Sequence, residues 1–182
     1  MNPRLQPLDG ELVPAASRPI LESVQRAIGK VPNLHRTLAN SPAALRAYTD
    51  MAQALSRGDL PVRLREQIAV AAAGMNGCAY CASAHTAIGQ GVGLDRSELE
   101  RNLSAESSDS KTTAVLAFVR ELIERRGDVD ESSLRAVREA GFEDRHLAEI
   151  VAHVAMNVFT NTFNVFARTP IDFPLVELEA TR

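Results

Sequence analysis

Tryptophan is absent from this chain of 182 residues, which also has only two tyrosines and six phenylalanines. A core made from such a sequence must consist mostly of Ala, Leu, Val and Ile, and that composition favours packed helices. Long apolar runs are absent as well, because charged residues interrupt them. We therefore expect neither a membrane-spanning segment nor a secretory signal, and no membrane partner. A chain of this length suits one domain with a core of its own.

Charge of one sign does not dominate either, since 20 basic and 23 acidic residues give a net charge of −3. No run of Lys or Arg could follow a phosphate backbone, so nucleic acid is not expected as a partner. These absences indicate a cytoplasmic protein. Cysteine is scarce too, with two in the chain. In a reducing cytosol such a pair is more often catalytic, redox-sensing or metal-binding than structural.

What the chain does contain is a series of helix signals. Ser or Asp before a proline or an apolar stripe marks several starts, and glycine marks several ends. No segment alternates as a strand does. The predicted helices cover residues 17–29, 41–58, 61–75, 78–91, 109–126, 130–140 and 143–167, with a short one beginning near 31–34.

The two ends of the chain are predicted to lie outside the helical unit. Residues 1–16 contain three prolines and no helical period, which indicates an extended N-terminal arm. Thr169-Pro170 ends the last helix, and an extended tail follows over 169–182. We expect an all-α fold with a single helical domain over 17–168.

The two cysteines stand three residues apart, in Cys78-Ala79-Tyr80-Cys81, and His85 follows four residues later. On a helix these three side chains share one face. The turn Asn76-Gly77 puts the cysteines on the first turn of that helix, near the positive end of its dipole. A helix N-terminus, a nearby imidazole and a second cysteine each lower a thiol pKa. The motif therefore predicts a reactive thiol pair.

Glu66 lies twelve residues before the first cysteine, on the apolar face of the preceding helix. An ionised carboxylate there is costly unless it has a partner. Arg63 or Arg65 could hold it in a salt bridge at the rim, which would make it structural. Because two helices joined by a tight turn face each other, Glu66 could instead reach His85.

His85 has a structural alternative, since a single histidine on an apolar face is more often a core residue than a catalyst. Next to two sulfurs and a carboxylate, however, an imidazole can transfer a proton at neutral pH. The remaining histidines lack such neighbours and are interpreted as structural or exposed: His35, His146 and His153.

Metal binding is the chemical rival of this interpretation, because Cys78, Cys81 and His85 with Glu66 could form four zinc ligands. No other cysteine exists to complete a structural zinc site, so zinc is disfavoured. Attachment of c-type haem needs a histidine directly after the second cysteine, where this chain has Ala82. We expect no metal and no bound cofactor.

The spacing from Glu66 to Cys78, Cys81 and His85 resembles the catalytic set of the AhpD-like alkyl hydroperoxidases, which belong to the carboxymuconolactone decarboxylase superfamily. The likeness covers nearly the whole chain. It includes the segments Arg65-Glu66-Gln67-Ile68-Ala69, Asn76-Gly77, Val31-Pro32-Asn33-Leu34, Ser41-Pro42, Gly91-Val92-Gly93-Leu94, Phe159-Thr160-Asn161 and Asp172-Phe173-Pro174.

This resemblance implies an all-α, AhpD-like single-domain fold that forms homo-oligomers, as trimers or hexamers. It also implies a thiol peroxidase or disulfide reductase in antioxidant defence, with a hydroperoxide substrate and an external thiol donor as partners. Cys81 matches the cysteine that attacks peroxide, and Cys78 the one that protonates the leaving group and then forms the disulfide. His85 and Glu66 match the proton relay. The order found in thioredoxin would exchange the two cysteine roles.

Two positions depart from the family pattern. Tyr80 precedes the second cysteine where relatives carry a relay histidine, and Val165 follows Asn164 where relatives often have histidine. The first departure favours a slow peroxidase. Members that decarboxylate a lactone generally lack the cysteine pair, so a lyase is disfavoured. The alternative function is a redox sensor without turnover, or a protein disulfide reductase or assembly module.

Overall fold

The computed structural model describes residues 2–178. Over this range it contains α-helices and one 3-10 helix, and no strand. The predicted all-α fold is therefore confirmed. A 3-10 turn over Gly10–Leu12 precedes nine helices within the described residues. They are α1 (Arg18–Ile28), α2 (Asn33–Leu38), α3 (Pro42–Leu55), α4 (Val62–Met75), α5 (Ala79–Gly91), α6 (Arg96–Asn102), α7 (Ser110–Glu124), α8 (Glu131–Glu139) and α9 (Asp144–Ala167).

Most helix starts follow the sequence signals. The side chain of Ser41 accepts a hydrogen bond from the backbone N–H of Ala44, and Asp109 caps α7 in the same way. Ser17 precedes α1 as predicted but does not cap it, because its hydroxyl donates to the carbonyl oxygen of Ala39. Helix α6 was not predicted, since its seven residues are mostly polar and show no apolar stripe.

Helix α4 is the centre of the fold, and it packs against α5, α6, α7 and α9. Most of its residues are buried, and they lie on all faces of the helix, which is typical of a helix enclosed by other helices. Small side chains over 69–73 allow the neighbours to approach closely. The buried residues are Leu64, Gln67, Ile68, Ala69, Val70, Ala71, Ala72 and Ala73.

Gly74 lets α4 approach the end of α6. A Cβ atom at this position would collide with the backbone carbonyl of Leu103, which cannot rotate away as a side chain could. Gly91, the last residue of α5, has no atom within 4 Å of the place where a Cβ would stand. The two glycines therefore differ in whether packing requires them.

Helix α9 is the one described helix that is long and apolar enough to cross a membrane by length and composition alone. A core helix of a folded domain passes the same test. Here α9 packs against α2, α3, α4, α5 and α7 and buries five polar side chains, so it acts as a core helix. These polar residues are His153, Asn157, Thr160, Asn161 and Asn164.

Both ends of the described chain lie on the helical unit. The backbone N–H of Arg4 donates to the carbonyl oxygen of Ala167 at 2.8 Å. In the tail, Asp172 accepts a hydrogen bond from the N–H of Asn33 at the start of α2. Met1 of the predicted arm and residues 179–182 of the predicted tail lie outside the described residues.

His35 of α2 is buried, and its ring lies 5.4 Å from that of Tyr48. Burial lowers the pKa of its imidazole to about 4. The imidazole is therefore neutral in the folded protein at neutral pH, and protonating it opposes folding.

We predict that Gly74→Ala destabilises the protein by about 1–3 kcal/mol, because the helices must move apart to admit a methyl group. Gly91→Ala is the matched control and should leave the stability unchanged or slightly higher. Thermal unfolding followed by circular dichroism measures both. Equal melting temperatures for the two variants would contradict the packing argument.

We also predict that His35 makes the protein sensitive to acid. In the unfolded chain the imidazole binds a proton near pH 6.5, whereas in the folded chain it binds one only near pH 4. Stability therefore falls as pH drops from 7 to 4, and this residue accounts for about 3 kcal/mol of the loss. In His35→Gln, the free energy of unfolding measured with urea should depend less on pH over that range. His146→Gln should keep the original pH dependence. A slope that persists unchanged in His35→Gln would refute the assignment.

Candidate active site

A disulfide joins Cys78 and Cys81 at the start of α5, with Cα atoms 5.3 Å apart. Cys78 is the N-cap residue, and its Sγ accepts a hydrogen bond from the backbone N–H of Cys81 at 3.2 Å. Both residues are almost fully buried, with 1% and 3% of their surfaces exposed. The predicted thiol pair thus lies at a helix N-terminus, where a negative sulfur is stabilised.

The turn between α4 and α5 places this pair. Gly77 has φ +62°, in the left-handed region that favours glycine. The N–H of Cys78 then donates to the carbonyl oxygen of Ala73, which closes the end of α4. As a result α5 returns along α4, and side chains of the two helices face each other.

Glu66 and His85 meet across this helix pair. The Nδ1–H of His85 donates to Oε2 of Glu66 at 2.8 Å, and both side chains are largely buried. Of the alternatives for Glu66, the structure therefore has the contact with His85, while Arg65 donates instead to the backbone of Leu55. With Nδ1 held as a donor, Nε2 of a neutral His85 is free to accept a proton.

Tyr48 of α3 adds a group that sequence reasoning missed. Burial, and then the charge of Glu66, raise the pKa of its phenol to about 12. The hydroxyl therefore stays protonated at neutral pH beside the Glu66 carboxylate. In the sequence, Tyr48 belongs to the apolar stripe of its helix, so nothing distinguishes it from an ordinary core residue.

Tyr80, between the two cysteines, turns away from the sulfurs. Its hydroxyl accepts a hydrogen bond from the backbone N–H of Leu34 at 3.0 Å. Its ring packs edge to face on Phe173, with centroids 5.8 Å apart. Burial raises the pKa of this phenol further still. Tyr80 therefore anchors the cysteine turn to α2 and the tail.

Helix α9 supplies two asparagine side chains on the other side of the cysteine turn. Nδ2 of Asn164 donates to Sγ of Cys81 at 3.3 Å. Oδ1 of Asn161 accepts from Nδ2 of Asn76, two residues before Cys78, at 2.9 Å. Val165, which follows Asn164, is half exposed.

A cavity of about 220 Å³ adjoins Cys78. Polar groups of α9 and the residues after it contribute to its wall, in addition to the cysteine turn. Its lining includes Gly77, Cys78, Tyr80, Asn164, Arg168 and Thr169. This cavity is an opening through which a small molecule could approach the disulfide.

The remaining histidines have other roles in the structure. His146 accepts a hydrogen bond from the backbone of Glu143 in the capping box of α9. His153 is buried on α9, and burial lowers its pKa. Among residues 2–178, no group of three or more His, Cys, Asp or Glu side chains is arranged to hold a metal ion.

Comparisons with known proteins bear on this arrangement. Residues 42–124 match the model of the carboxymuconolactone decarboxylase family, and that span contains all four predicted site residues. No curated protein matches the sequence significantly.

Similar solved structures share the fold over nearly the whole chain. An alkylhydroperoxidase AhpD core protein, described as peroxidase-related, from Ralstonia eutropha JMP134 is 27% identical with a TM-score of 0.83, covering 94% of both chains. A peroxidase-related protein from Silicibacter sp. TM1040 is 24% identical with a TM-score of 0.80, covering 93% of this chain and 94% of that one. The debrominase Bmp8, solved as a cysteine-to-alanine variant with 2,3,4-tribromopyrrole, is 20% identical with a TM-score of 0.77, covering 94% and 93%.

The family match spans α3 to α7 with the whole Glu66, Cys78, Cys81 and His85 set, and the solved relatives extend the likeness to the remaining helices. The resemblance stated from the sequence is thereby confirmed. Residues 42–124 match the carboxymuconolactone decarboxylase family, and the described residues form a single helical domain with the fold of the AhpD-like structures.

Proposed function

We propose that this protein is a cytoplasmic antioxidant enzyme that reduces hydroperoxides with the Cys78/Cys81 pair. The observation that carries the proposal is a disulfide at the N-terminus of α5, with His85 one turn further along the same helix and hydrogen-bonded to Glu66 of α4. The peroxidase-related descriptions of two structural relatives point in the same direction.

The reaction begins with the reduced pair. His85 accepts the proton of Cys81 at Nε2, while Glu66 holds Nδ1–H and stabilises the imidazolium. The Cys81 thiolate attacks one oxygen of the hydroperoxide, so that an S–O bond forms, the O–O bond breaks, and the alkoxide takes a proton from Cys78. The Cys78 thiolate then attacks the sulfur of the Cys81 sulfenic acid, the S–O bond breaks, and the displaced hydroxide takes the proton held by His85 to leave as water. An external thiol donor reduces the disulfide, and the net reaction converts ROOH and two thiols into ROH, water and a disulfide.

Assembly of several copies is also part of the proposal. Helix α9 exposes several apolar side chains along its surface, and exposed apolar patches often mark contact sites. A trimer or hexamer would cover them. These side chains are Val151, Phe159, Val165 and Phe166.

One observation favours a second candidate, a redox sensor or disulfide module without turnover. The two cysteines are only 1% and 3% exposed, so the pair is better placed to change the packing of α5 than to meet a large substrate. Bmp8 has a different activity on the same fold, which means that the fold alone does not select the chemistry. A lactone lyase has no use for the cysteine pair.

The two candidates differ in turnover. We expect the reduced protein to consume a small hydroperoxide continuously when a dithiol such as dithiothreitol is present. Peroxide loss and free thiols are followed together. Formation of one disulfide per chain and then no further loss, with reductant present, would establish the sensor instead.

Cys81→Ser should abolish peroxide consumption while the protein stays folded, because the attacking sulfur is gone. Cys78→Ser should still react once and leave a sulfenic acid on Cys81, which dimedone labels and mass spectrometry detects. A Cys81→Ser variant as active as the natural protein would overturn the assignment of the attacking cysteine.

Glu66→Gln should slow thiol ionisation, since the amide cannot stabilise an imidazolium at His85. We expect alkylation of the reduced protein by iodoacetamide at pH 7 to slow about tenfold, with the disulfide still able to form. Glu100→Gln is the control, because Glu100 forms an exposed ion pair with Arg96 on α6. Equal thiol reactivity in the two variants would return Glu66 to a structural role.

A further inference from the structure

Three buried asparagines follow one another along α9, and each must satisfy a polar amide away from water. Asn157 does so within its own helix, by donating to the carbonyl oxygen of His153. Asn161 and Asn164 instead reach across to the two ends of the cysteine segment, to Asn76 and to Cys81. All three are at most 3% exposed.

The hydrogen bond that Asn164 donates to Cys81 is weak in the oxidised protein. A disulfide sulfur is a neutral, weak acceptor, so donation to Sγ of Cys81 compensates little of the cost of burying the amide. The Oδ1 atom of the same side chain is buried with no partner among residues 2–178. A thiolate at Cys81 would be a much stronger acceptor for the same N–H, because the hydrogen bond would then be charge-assisted.

We propose that Asn164 is a catalytic residue that stabilises the thiolate of Cys81 and makes the dithiol form easier to reach. This inference rests on the proposed function, because it identifies the sulfur that carries the negative charge when the cysteine pair reacts. Cys81 is then both the attacking sulfur towards peroxide and the leaving sulfur when an external thiolate attacks Cys78. In that step a bond forms from the external sulfur to Cys78, the Cys78–Cys81 bond breaks, and its electron pair stays on Cys81.

Cys78 has a different environment. Among residues 2–178, the hydrogen-bond donor to its Sγ is the backbone N–H of Cys81, and Cys78 adjoins the cavity of about 220 Å³. An incoming thiol that enters this cavity meets Cys78, with Cys81 behind it against Asn164. The two cysteines are thus distinguished by their neighbours as well as by their order in the chain.

Other charged and titratable groups surround the pair and must be held constant in any test. They come from α2, α3, α4, α5, the end of α9 and the tail. These groups are Glu66 on α4, His85 and Tyr80 on α5, His35 on α2, Tyr48 on α3, Arg168 at the end of α9 and Asp172 in the tail.

The test compares Asn164→Leu with Asn161→Leu, which removes a buried amide one turn away that does not touch sulfur. In a Cys78→Ser background, alkylation by iodoacetamide is measured against pH. We expect Asn164→Leu to lower the rate at pH 7 about tenfold by raising the pKa of the Cys81 thiol, and Asn161→Leu to leave that pKa unchanged. Equal pKa values in both folded variants would overturn the proposal.

Redox equilibrium gives a second readout with both cysteines present. Against a reference dithiol, Asn164→Leu should shift the equilibrium about tenfold towards the disulfide, which corresponds to a reduction potential about 30 mV lower. An unchanged equilibrium, with a stable fold, would contradict the stabilisation of the reduced form.

A measurement on the natural sequence covers the case in which the leucine variant does not fold. In reduced, ¹⁵N-labelled protein, the side-chain amide of Asn164 should shift with pH as Cys81 titrates, while that of Asn157 should not. A chemical shift of the Asn164 side-chain amide that does not change with pH would refute the proposal. None of these measurements uses peroxide, so a failure of peroxidase activity and a failure of the Asn164 assignment are recognised separately.

Discussion

The tight return of the chain at Gly77 is the constraint on which the rest of the site depends. Because that residue takes φ +62°, the N–H of Cys78 closes the end of α4 and α5 begins at once. One turn thereby places a cysteine at a helix N-terminus and brings the helix face with Glu66 opposite the face with His85. The Asn76–Asn161 hydrogen bond fastens the turn to α9.

Around this turn the polar groups fall into two sets. On one side, Glu66 and His85 form a partly buried, hydrogen-bonded pair. On the other side, Asn161 and Asn164 hold the cysteine segment through amide hydrogen bonds. Polar side chains are costly to bury in an apolar core, so a group of them on the helices next to the disulfide supports the proposed active site.

Sequence reasoning succeeded where a helix has a strong stripe or cap. It predicted α3, α4, α7 and α9 closely, and it recognised that the α4–α5 turn could bring Glu66 to His85. It missed α6, whose mostly polar sequence carries no apolar period. Local pattern is sufficient when the information lies within a few helical turns.

The rest of the site could not be read from the sequence, because it depends on which helices meet. Tyr48 and Asn164 are distant from the cysteines in the chain, and an isolated tyrosine or asparagine on a helix looks like any other. Tyr80 stands directly before Cys81 in the chain, but its hydroxyl accepts a hydrogen bond from the backbone N–H of Leu34. These residues gain their neighbours from the packing of α9 on α5, of α3 on α9, and from the hydrogen bond that joins Tyr80 of α5 to α2.

The burial of both sulfurs has a consequence for kinetics. Cys78 and Cys81 are almost completely covered, so a bulky reagent can reach them only in the fraction of molecules whose first turn of α5 has opened. The observed rate then equals the intrinsic rate multiplied by that open fraction. Each additional kcal/mol of packing over this turn slows such a reaction about fivefold. The local stability of a single helical turn thus acts as a filter that admits small reactants and delays large ones.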